Sequence, residues 1–200
     1  MSGGLFRVLH VCTGNICRSP MAEHLMRRML EDAGPASAES FVVESAGTWG
    51  HAGSPMEPHA LTTLAGYGVD GAAFRARELA AEHVAGADLV LAATREHRAA
   101  SVVLYPRAAA RTFTLREFAR LTEGFDGASL TDDPVERARA LVRTAAGRRG
   151  LVPPERPADD DLTDPYHAPA SAFVACADLV SASLRGPLAL LTGGTPAPLR

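Results

Sequence analysis

The sequence predicts an α/β fold: a single domain in which a four-stranded parallel sheet has helices on both faces. Two patterns predict it, namely short apolar runs typical of buried strands, and segments of helical spacing that separate those runs. Strands joined through helices run parallel, because the helix carries the chain back to the edge where the first strand began. The 200 residues, of which 46% are hydrophobic and 22% charged, suit one domain with an ample core.

The strands are expected at four apolar segments. They span residues 5–11, 41–43, 88–93 and 111–113. The helices are expected where apolar residues recur at helical spacing between Pro, Gly or polar end signals. They span residues 19–33, 58–66, 77–85, 96–104, 115–121 and 170–184. The last of these helices is apolar enough to close one face of the sheet.

Composition and charge exclude several classes of partner. A net charge of −3 gives no electrostatic case for nucleic acid or for an anionic membrane surface. No apolar run is expected to approach a membrane span or to insert into a membrane, and Arg7 and His10 interrupt the first apolar stretch, which therefore does not fit a signal peptide. Three cysteines do not form a secreted disulfide framework, so the cytoplasm is the expected location.

Residues 12–18 (CTGNICR) place a thiol and a guanidinium at the two ends of a short loop. The loop follows the first strand and precedes a helix that starts at Ser19-Pro20. Loop amides and the unpaired amides of the first helical turn converge on one anion in such an arrangement, and the helix dipole adds positive charge. These groups favour the thiolate of Cys12, while Arg18 clamps two oxygens of a phosphate. The pattern predicts phosphoryl transfer to sulfur.

The segment 11–23 (VCTGNICRSPMAE) resembles the signature of the low-molecular-weight protein tyrosine phosphatases. Further resemblances follow in order as ESAGTW, RAREL, ADLVL and DPY, at residues 44–49, 75–79, 87–91 and 164–166. The resemblance covers about residues 5–118 and 162–186. It implies a metal-independent protein tyrosine phosphatase without a cofactor, a hydrolase of phosphoric monoesters whose substrate is a phosphotyrosine-containing protein.

A departing phenol needs a proton, and because a thiolate cannot supply one, a carboxylic acid on an exposed loop is expected. The resemblance identifies Asp164 as this general acid. Pro165 stiffens its loop, and Tyr166 can flank an aromatic substrate. The expected catalytic residues are thus Cys12, Arg18 and Asp164. The neighbouring carboxylates at 159–161 are expected to form a solvated acidic run.

Substrate binding is expected from the loop and from two aromatic side chains. The expected contacts are Thr13, Gly14, Asn15, Ile16, Cys17, Ser19, Trp49 and Tyr166. Ile16 gives an apolar floor suited to an aromatic ring, whereas protein-arginine phosphatases that resemble this family carry Thr at this position. Trp49 and Tyr166 are expected to wall a deep slot, which favours phosphotyrosine over the shorter phosphoserine.

Asn15 is expected to hold the loop in shape, since asparagine tolerates left-handed backbone conformations. In the family this asparagine is tied to a serine, here Ser45, and usually to a histidine, whose position Phe74 takes in this chain. We therefore expect a network that differs from the family's or is looser. The seven histidines show no metal-ligand spacing and are expected to be structural or solvated.

Cys17 has two possible roles. A disulfide with Cys12 would protect the nucleophile from irreversible oxidation and switch activity off reversibly. Alternatively, Cys17 is a small buried packing residue. Cys176, on the last apolar helix, is expected in the core.

About residues 119–161 form an insertion relative to the compact family pattern. Within it, residues 132–134 (DDP) are a favourable helix start, and residues 135–145 supply apolar side chains at helical spacing. Two hypotheses remain open. The segment is either an extra surface helix on a flexible arm, or a lid or partner-docking element beside the acid loop, which is the segment that carries Asp164. The domain is expected to span residues 1–190, followed by a disordered tail at 191–200.

Two other functions use the same features. Arsenate reduction on this scaffold needs a resolving pair of cysteines after the third strand, and residues 92–94 and those that follow them contain none. A non-catalytic phosphotyrosine- or phosphate-binding module is favoured only by Phe74 and by the insertion. Hydrolysis of phosphotyrosine through a cysteinyl-phosphate intermediate is therefore the expected function.

Overall fold

A sheet of four parallel strands organises the protein, whose computed structural model describes residues 4–194. The strands lie in the order β2-β1-β3-β4 and are β1 (Phe6–Cys12), β2 (Phe41–Gly47), β3 (Leu89–Ala92) and β4 (Thr112–Thr114). β1 pairs with both β2 and β3, so that Val11 lies opposite Ala46 on one side and Ala92 on the other. The strands are mostly apolar because both faces of a parallel sheet are covered. The predicted four-stranded parallel sheet is confirmed.

Helices cover both faces of the sheet in the described part of the chain. They are α1 (Arg18–Asp32), α2 (Pro35–Ser40), α3 (Pro58–Gly66), α4 (Ala81–Gly86), α5 (Arg95–Leu104), α6 (Leu115–Thr122), α7 (Pro134–Arg148) and α8 (Ala170–Thr192). The larger core lies between the sheet and α1, α6, α7 and α8, around side chains such as Met21, Phe113 and Phe173. A smaller cluster on the other face includes Leu9 and Val84.

The helix expected from residue 77 begins only at Ala81. The Leu79 N–H donates to the Gly47 carbonyl at 2.7 Å, and the Gly47 N–H donates to the Arg77 carbonyl at 3.0 Å. These bonds hold residues 77–79 extended beside the end of β2. The short helix α2 was not expected either. It begins at Pro35, which is pre-organised for a first helical turn.

The last helix is longer than the sequence indicated. α8 continues past residue 184 to Thr192 because Leu184, Leu188 and Leu191 extend one buried stripe. The helix therefore passes the domain end expected at residue 190. Residues 195–200 of the expected tail lie outside the described residues.

Helix α8 also satisfies the length and composition of a membrane span, with 23 residues and a mean hydropathy of 1.4 over its most apolar window. The sequence-based expectation that no apolar run approaches a membrane span was therefore wrong. In the structure α8 packs against α1, α3, α6 and α7, and Val180 and Leu188 are fully buried. Its packing is that of a core helix.

The segment expected as an insertion packs into the core and is not a flexible arm. Four residues of α7 are buried against α6 and α8: Ala138, Leu141, Val142 and Ala145. Arg139 contacts Asp88 at 3.6 Å, just before β3 begins, and the guanidinium of Arg149 lies 4.2 Å from the Phe113 ring centre. These contacts place α7 near the amino ends of the parallel strands, opposite to the loop that follows β1.

Candidate active site

The loop between β1 and α1 turns its backbone carbonyls away from its own concave side. The carbonyls of Cys12, Thr13 and Gly14 accept hydrogen bonds from the N–H groups of residues 48, 49 and 51 at 2.9, 3.0 and 3.0 Å. Within residues 4–194, no protein acceptor is bonded to the N–H groups of residues 13–17. Consecutive free amides in a tight loop form a concavity for an anion.

Gly47, at the end of β2, allows this close approach of two backbones. A Cβ atom at Gly47 would lie 2.3 Å from the Thr13 carbonyl oxygen and 2.9 Å from the Asn15 nitrogen. Any larger residue would therefore push the loop out of place.

Asn15 holds the loop from behind, as expected, and adopts the left-handed conformation with a φ of 54°. Its side-chain amide donates to Ser19 Oγ at 2.9 Å and to Ser45 Oγ at 2.8 Å. Its side-chain oxygen accepts the Arg77 N–H at 2.9 Å. Every polar atom of the amide is thus engaged, and this compensates for the strained backbone.

The network continues through Ser45 and closes without a histidine. Ser45 Oγ donates to Glu23 at 2.5 Å, and Glu23 pairs with Arg27 at 2.7 Å. Phe74, which takes the position of the family's histidine, packs at the edge of the His24 ring with centres 5.7 Å apart. The network of this chain is not loose, since each of its polar groups has a partner in the described structure. Phe74 therefore no longer favours a module that has lost turnover.

The thiol of Cys12 lies at the bottom of the loop and is buried. Its Sγ atom lies 2.9 Å from Ser19 Oγ, on the first turn of α1. A helix N-terminus and a hydroxyl donor both stabilise a thiolate. The local arrangement suits a nucleophile.

Arg18 is also buried, with 5% of its side chain exposed, and one of its donors has no partner. Its Nη2 atom lies 2.5 Å from Asp164 Oδ2, and its Nη1 donates to the Leu162 carbonyl at 3.3 Å. The Nε atom is buried and forms no hydrogen bond. Because a buried unpaired N–H of a charged group is costly, this donor indicates an anionic ligand.

Asp164 sits at the rim of the site, as the sequence predicted. Its side chain is 46% exposed, and its second oxygen accepts the Tyr166 N–H at 3.2 Å. The carboxylate is therefore fixed by two contacts while it still faces solvent.

A pocket of about 130 Å³ joins these groups. Its lining residues are Cys12, Thr13, Gly14, Ile16, Cys17, Arg18, Trp49, His51, Asp164 and Tyr166. The two aromatic side chains lie at its mouth, with Trp49 80% and Tyr166 43% exposed. Asn15 and Ser19, which were expected to bind substrate, do not line the pocket, and their side chains support the loop from behind. His51 also lines the pocket, although no sequence pattern pointed to it.

His97 is a second residue that sequence reasoning missed. Its Nε2 atom lies 2.9 Å from Thr13 Oγ1, and its Nδ1 lies 2.7 Å from Thr94 Oγ1. Burial, and next the charge of Arg18, lower the pKa of His97 to about 4. The ring is structural, as expected, but it contacts residues 12–18, the phosphate loop, directly.

The acidic run before Asp164 is not simply solvated. Asp160 is buried and pairs with Arg120 at 2.7 Å, and Asp161 pairs with Arg95 at 2.9 Å. Of these three carboxylates, Asp159 alone pairs within its own turn, since its partner in the described structure is Arg156, three residues away. The expectation was wrong because charge runs in a sequence do not reveal arginines that approach from distant helices. These pairs tether the acid loop.

All three cysteines are free thiols and buried. Burial, then the neighbouring Cys12, raises the pKa of Cys17 far above its usual value. Burial likewise raises the pKa of Cys176 to about 12. Cys176 lies in the core, as predicted.

A buried thiol, five loop amides without a protein acceptor in the described structure and a buried guanidinium surround one pocket, and this arrangement suits a phosphatase. The sequence model of the low molecular weight phosphotyrosine protein phosphatase family matches residues 7–147. The chain belongs to this family.

Individual relatives agree with this assignment. The chain is 35% identical over 187 residues to a low molecular weight protein-tyrosine-phosphatase from Streptomyces coelicolor, covering 92% of each chain. It is 41% identical over 135 residues to a protein-arginine-phosphatase from Geobacillus stearothermophilus, covering 68% of this chain and 85% of that one. A solved low molecular weight protein tyrosine phosphatase from T. tengcongensis superposes with a TM-score of 0.66 at 30% identity, covering 92% of this chain and 97% of that one.

Proposed function

We propose that this protein hydrolyses phosphotyrosine in protein substrates through a cysteinyl-phosphate intermediate. The observation that carries the proposal is the pocket that Cys12 shares with Arg18, a buried arginine whose Nε has no hydrogen-bond partner in the described structure. A phosphate seated on the free amides of residues 13–17 would meet both groups.

In the first step the Cys12 thiolate attacks phosphorus, the S–P bond forms and the bond to the phenol oxygen breaks. The loop amides and Arg18 hold the equatorial oxygens, whose charge is greatest in the transition state. Asp164, fixed at the rim, gives its proton to the departing phenolate, whose pKa in free form is about 10.

In the second step water attacks the phosphoryl group and the S–P bond breaks. The Asp164 carboxylate now accepts a proton from that water. The Ser19 hydroxyl, 2.9 Å from Sγ, can donate to the departing thiolate. The cycle returns Cys12 and Asp164 to their starting states and releases inorganic phosphate.

The pocket favours an aromatic substrate. Ile16 lines it with an apolar side chain that packs against the core, and Trp49 and Tyr166 stand exposed at its mouth. Aromatic side chains at a mouth suit a phenyl ring that must reach a deep phosphate site. We therefore assign phosphotyrosine as the substrate.

Phosphoarginine is the second candidate substrate, because the Geobacillus stearothermophilus relative is named for it. The ratio of kcat/KM for a phosphotyrosine peptide to that for a phosphoarginine peptide distinguishes the two. We expect the wild-type protein to prefer phosphotyrosine, and Ile16→Thr to lower the ratio by about tenfold. A wild-type preference for phosphoarginine would overturn the substrate assignment.

The remaining expectations stay predictions. A reducing, cytoplasmic location suits a reaction that needs a free thiol. A Cys12–Cys17 disulfide is supported by their shared pocket, although the protonated state of Cys17 would make its formation slow. A protein partner at the insertion would dock outside the substrate pocket, since residues 119–161 do not line that pocket in the described structure. The packing of α7 into the core does not favour a lid.

A further inference from the structure

The first turn of α5 reaches the phosphate loop through one histidine ring. His97 is buried, and both of its ring nitrogens contact hydroxyl groups, Nδ1 to Thr94 and Nε2 to Thr13. Thr94 is the N-cap of α5, so its own position is fixed by the helix start. The ring is therefore held rigidly on the helix and reaches the loop with its far edge.

The contact continues from Thr13 to the arginine of the site. Arg18 Nη2 donates to Thr13 Oγ1 at 3.3 Å. Each hydroxyl can both donate and accept, so a neutral imidazole satisfies both of its nitrogens in either tautomer. Thr94, His97, Thr13 and Arg18 thus form one continuous chain of hydrogen bonds.

This series of hydrogen bonds determines the position of the Arg18 guanidinium. Without Thr13, the only partners of Arg18 in the described structure are the carbonyl of Leu162 and the carboxylate of Asp164, both on the acid loop. A guanidinium held from one side only would be drawn towards that loop. Thr13, fixed by His97, gives it a second anchor, on the phosphate loop.

We propose that His97 is a positioning residue, which holds the Arg18 guanidinium in its oxyanion-binding orientation through the hydroxyl of Thr13. The proposal rests on the proposed phosphatase function. Its consequence is measurable without turnover, because the same orientation governs the binding of inorganic phosphate, the product.

Trp49 makes this binding directly observable. It is the only tryptophan of the chain and lines the pocket, so its fluorescence reports on the occupied site. We expect His97→Leu to raise the Kd of inorganic phosphate about tenfold, which corresponds to about 1.4 kcal/mol. We expect His97→Gln, whose amide can still reach Thr13, to recover most of the affinity. His59→Leu removes an exposed histidine outside the site and should leave the Kd unchanged.

A double-mutant cycle tests whether the effect passes through Thr13. Thr13→Val removes the hydroxyl and keeps the size, and the double variant should lose no more affinity than the single variants. Additive losses, or a His97→Leu variant that binds phosphate as well as the His59→Leu control, would overturn the proposal. If His97→Leu does not fold, the comparison of His97→Gln with Thr13→Val gives the same decision. A protein that binds phosphate as described but does not hydrolyse aryl phosphates would refute the function and not the positioning.

Discussion

Among single residues, Asp164 carries the most specific prediction. Asp164→Asn keeps the shape of the side chain but cannot transfer a proton. We expect kcat/KM for a phosphotyrosine peptide to fall by about two to four orders of magnitude. The loss should be much smaller for p-nitrophenyl phosphate, because its phenolate departs without a proton.

The acidic run offers a matched control for this substitution. Asp159→Asn removes a carboxylate that pairs only with Arg156 in its own turn, so kcat/KM should stay near the wild-type value. Equal activity of Asp164→Asn and wild type on phosphotyrosine would show that another group is the acid.

The sequence identified Cys12, Asn15 and Arg18 from a local pattern, and Asp164 from the resemblance to a family. Cys12, Asn15 and Arg18 lie on one short loop, and their spacing alone indicates how they meet. His97 and the pairs made by Asp160 and Asp161 join segments that are far apart in the chain. No local pattern encodes such contacts, so they appeared only in the structure.

Among the structural elements, α7 makes the insertion part of the folded core. Leu141 is fully buried between α7 and its neighbours. We expect Leu141→Ala to lower the free energy of unfolding by about 2–5 kcal/mol, since it removes a buried side chain and leaves a cavity. The KM for an aryl phosphate should not change, because α7 lies at the other end of the sheet.

Leu151→Ala is the control within the same insertion. Leu151 is 77% exposed, so its loss should change the unfolding free energy by less than about 0.5 kcal/mol. Urea unfolding curves of the two variants measure the difference. If both substitutions change the unfolding free energy by a similarly small amount, the insertion is a flexible arm and not part of the core.

Helix and strand types followed well from apolar spacing, and their ends followed less well. α3 begins and ends where the sequence predicted, at Pro58 and Gly66. The helix expected at residue 77 started late because residues 77–79 bond to β2 instead. The position of α7 could not be predicted, since a helix with one apolar stripe can pack against any exposed part of a core.

At the scale of the whole molecule, two buried histidines make stability depend on pH. Burial lowers the pKa of His10 to about 3, and burial with the charge of Arg18 lowers the pKa of His97 to about 4. The unfolded chain binds protons at these residues below pH of about 6.5, while the native protein does not. The stabilisation that these two neutral histidines contribute is therefore fully present above pH of about 6.5 and is lost as the pH falls below it.

For each histidine, we expect the free energy of unfolding to fall by about 1.4 kcal/mol per pH unit below about pH 6.5, until the pH reaches the pKa of that histidine in the native protein. Urea unfolding at pH 7, 6 and 5 measures this slope above the range in which the carboxylates titrate. His10→Leu should reduce the slope, and the exposed His59→Gln should not. An unfolding free energy that is the same at pH 7 and pH 5 would contradict the buried neutral state of both rings.

The fold as a whole brings Cys12, Arg18 and Asp164 to one end of a parallel sheet, where we propose that they form and hydrolyse a covalent intermediate as nucleophile, anion clamp and acid. Rapid acid quench of the wild-type protein during turnover of an aryl phosphate, followed by peptide mass spectrometry, tests it most directly. We expect one phosphoryl group on the peptide that contains Cys12, and no phosphopeptide and no turnover in Cys12→Ala. Phosphate found on another residue, or turnover by Cys12→Ala, would contradict it.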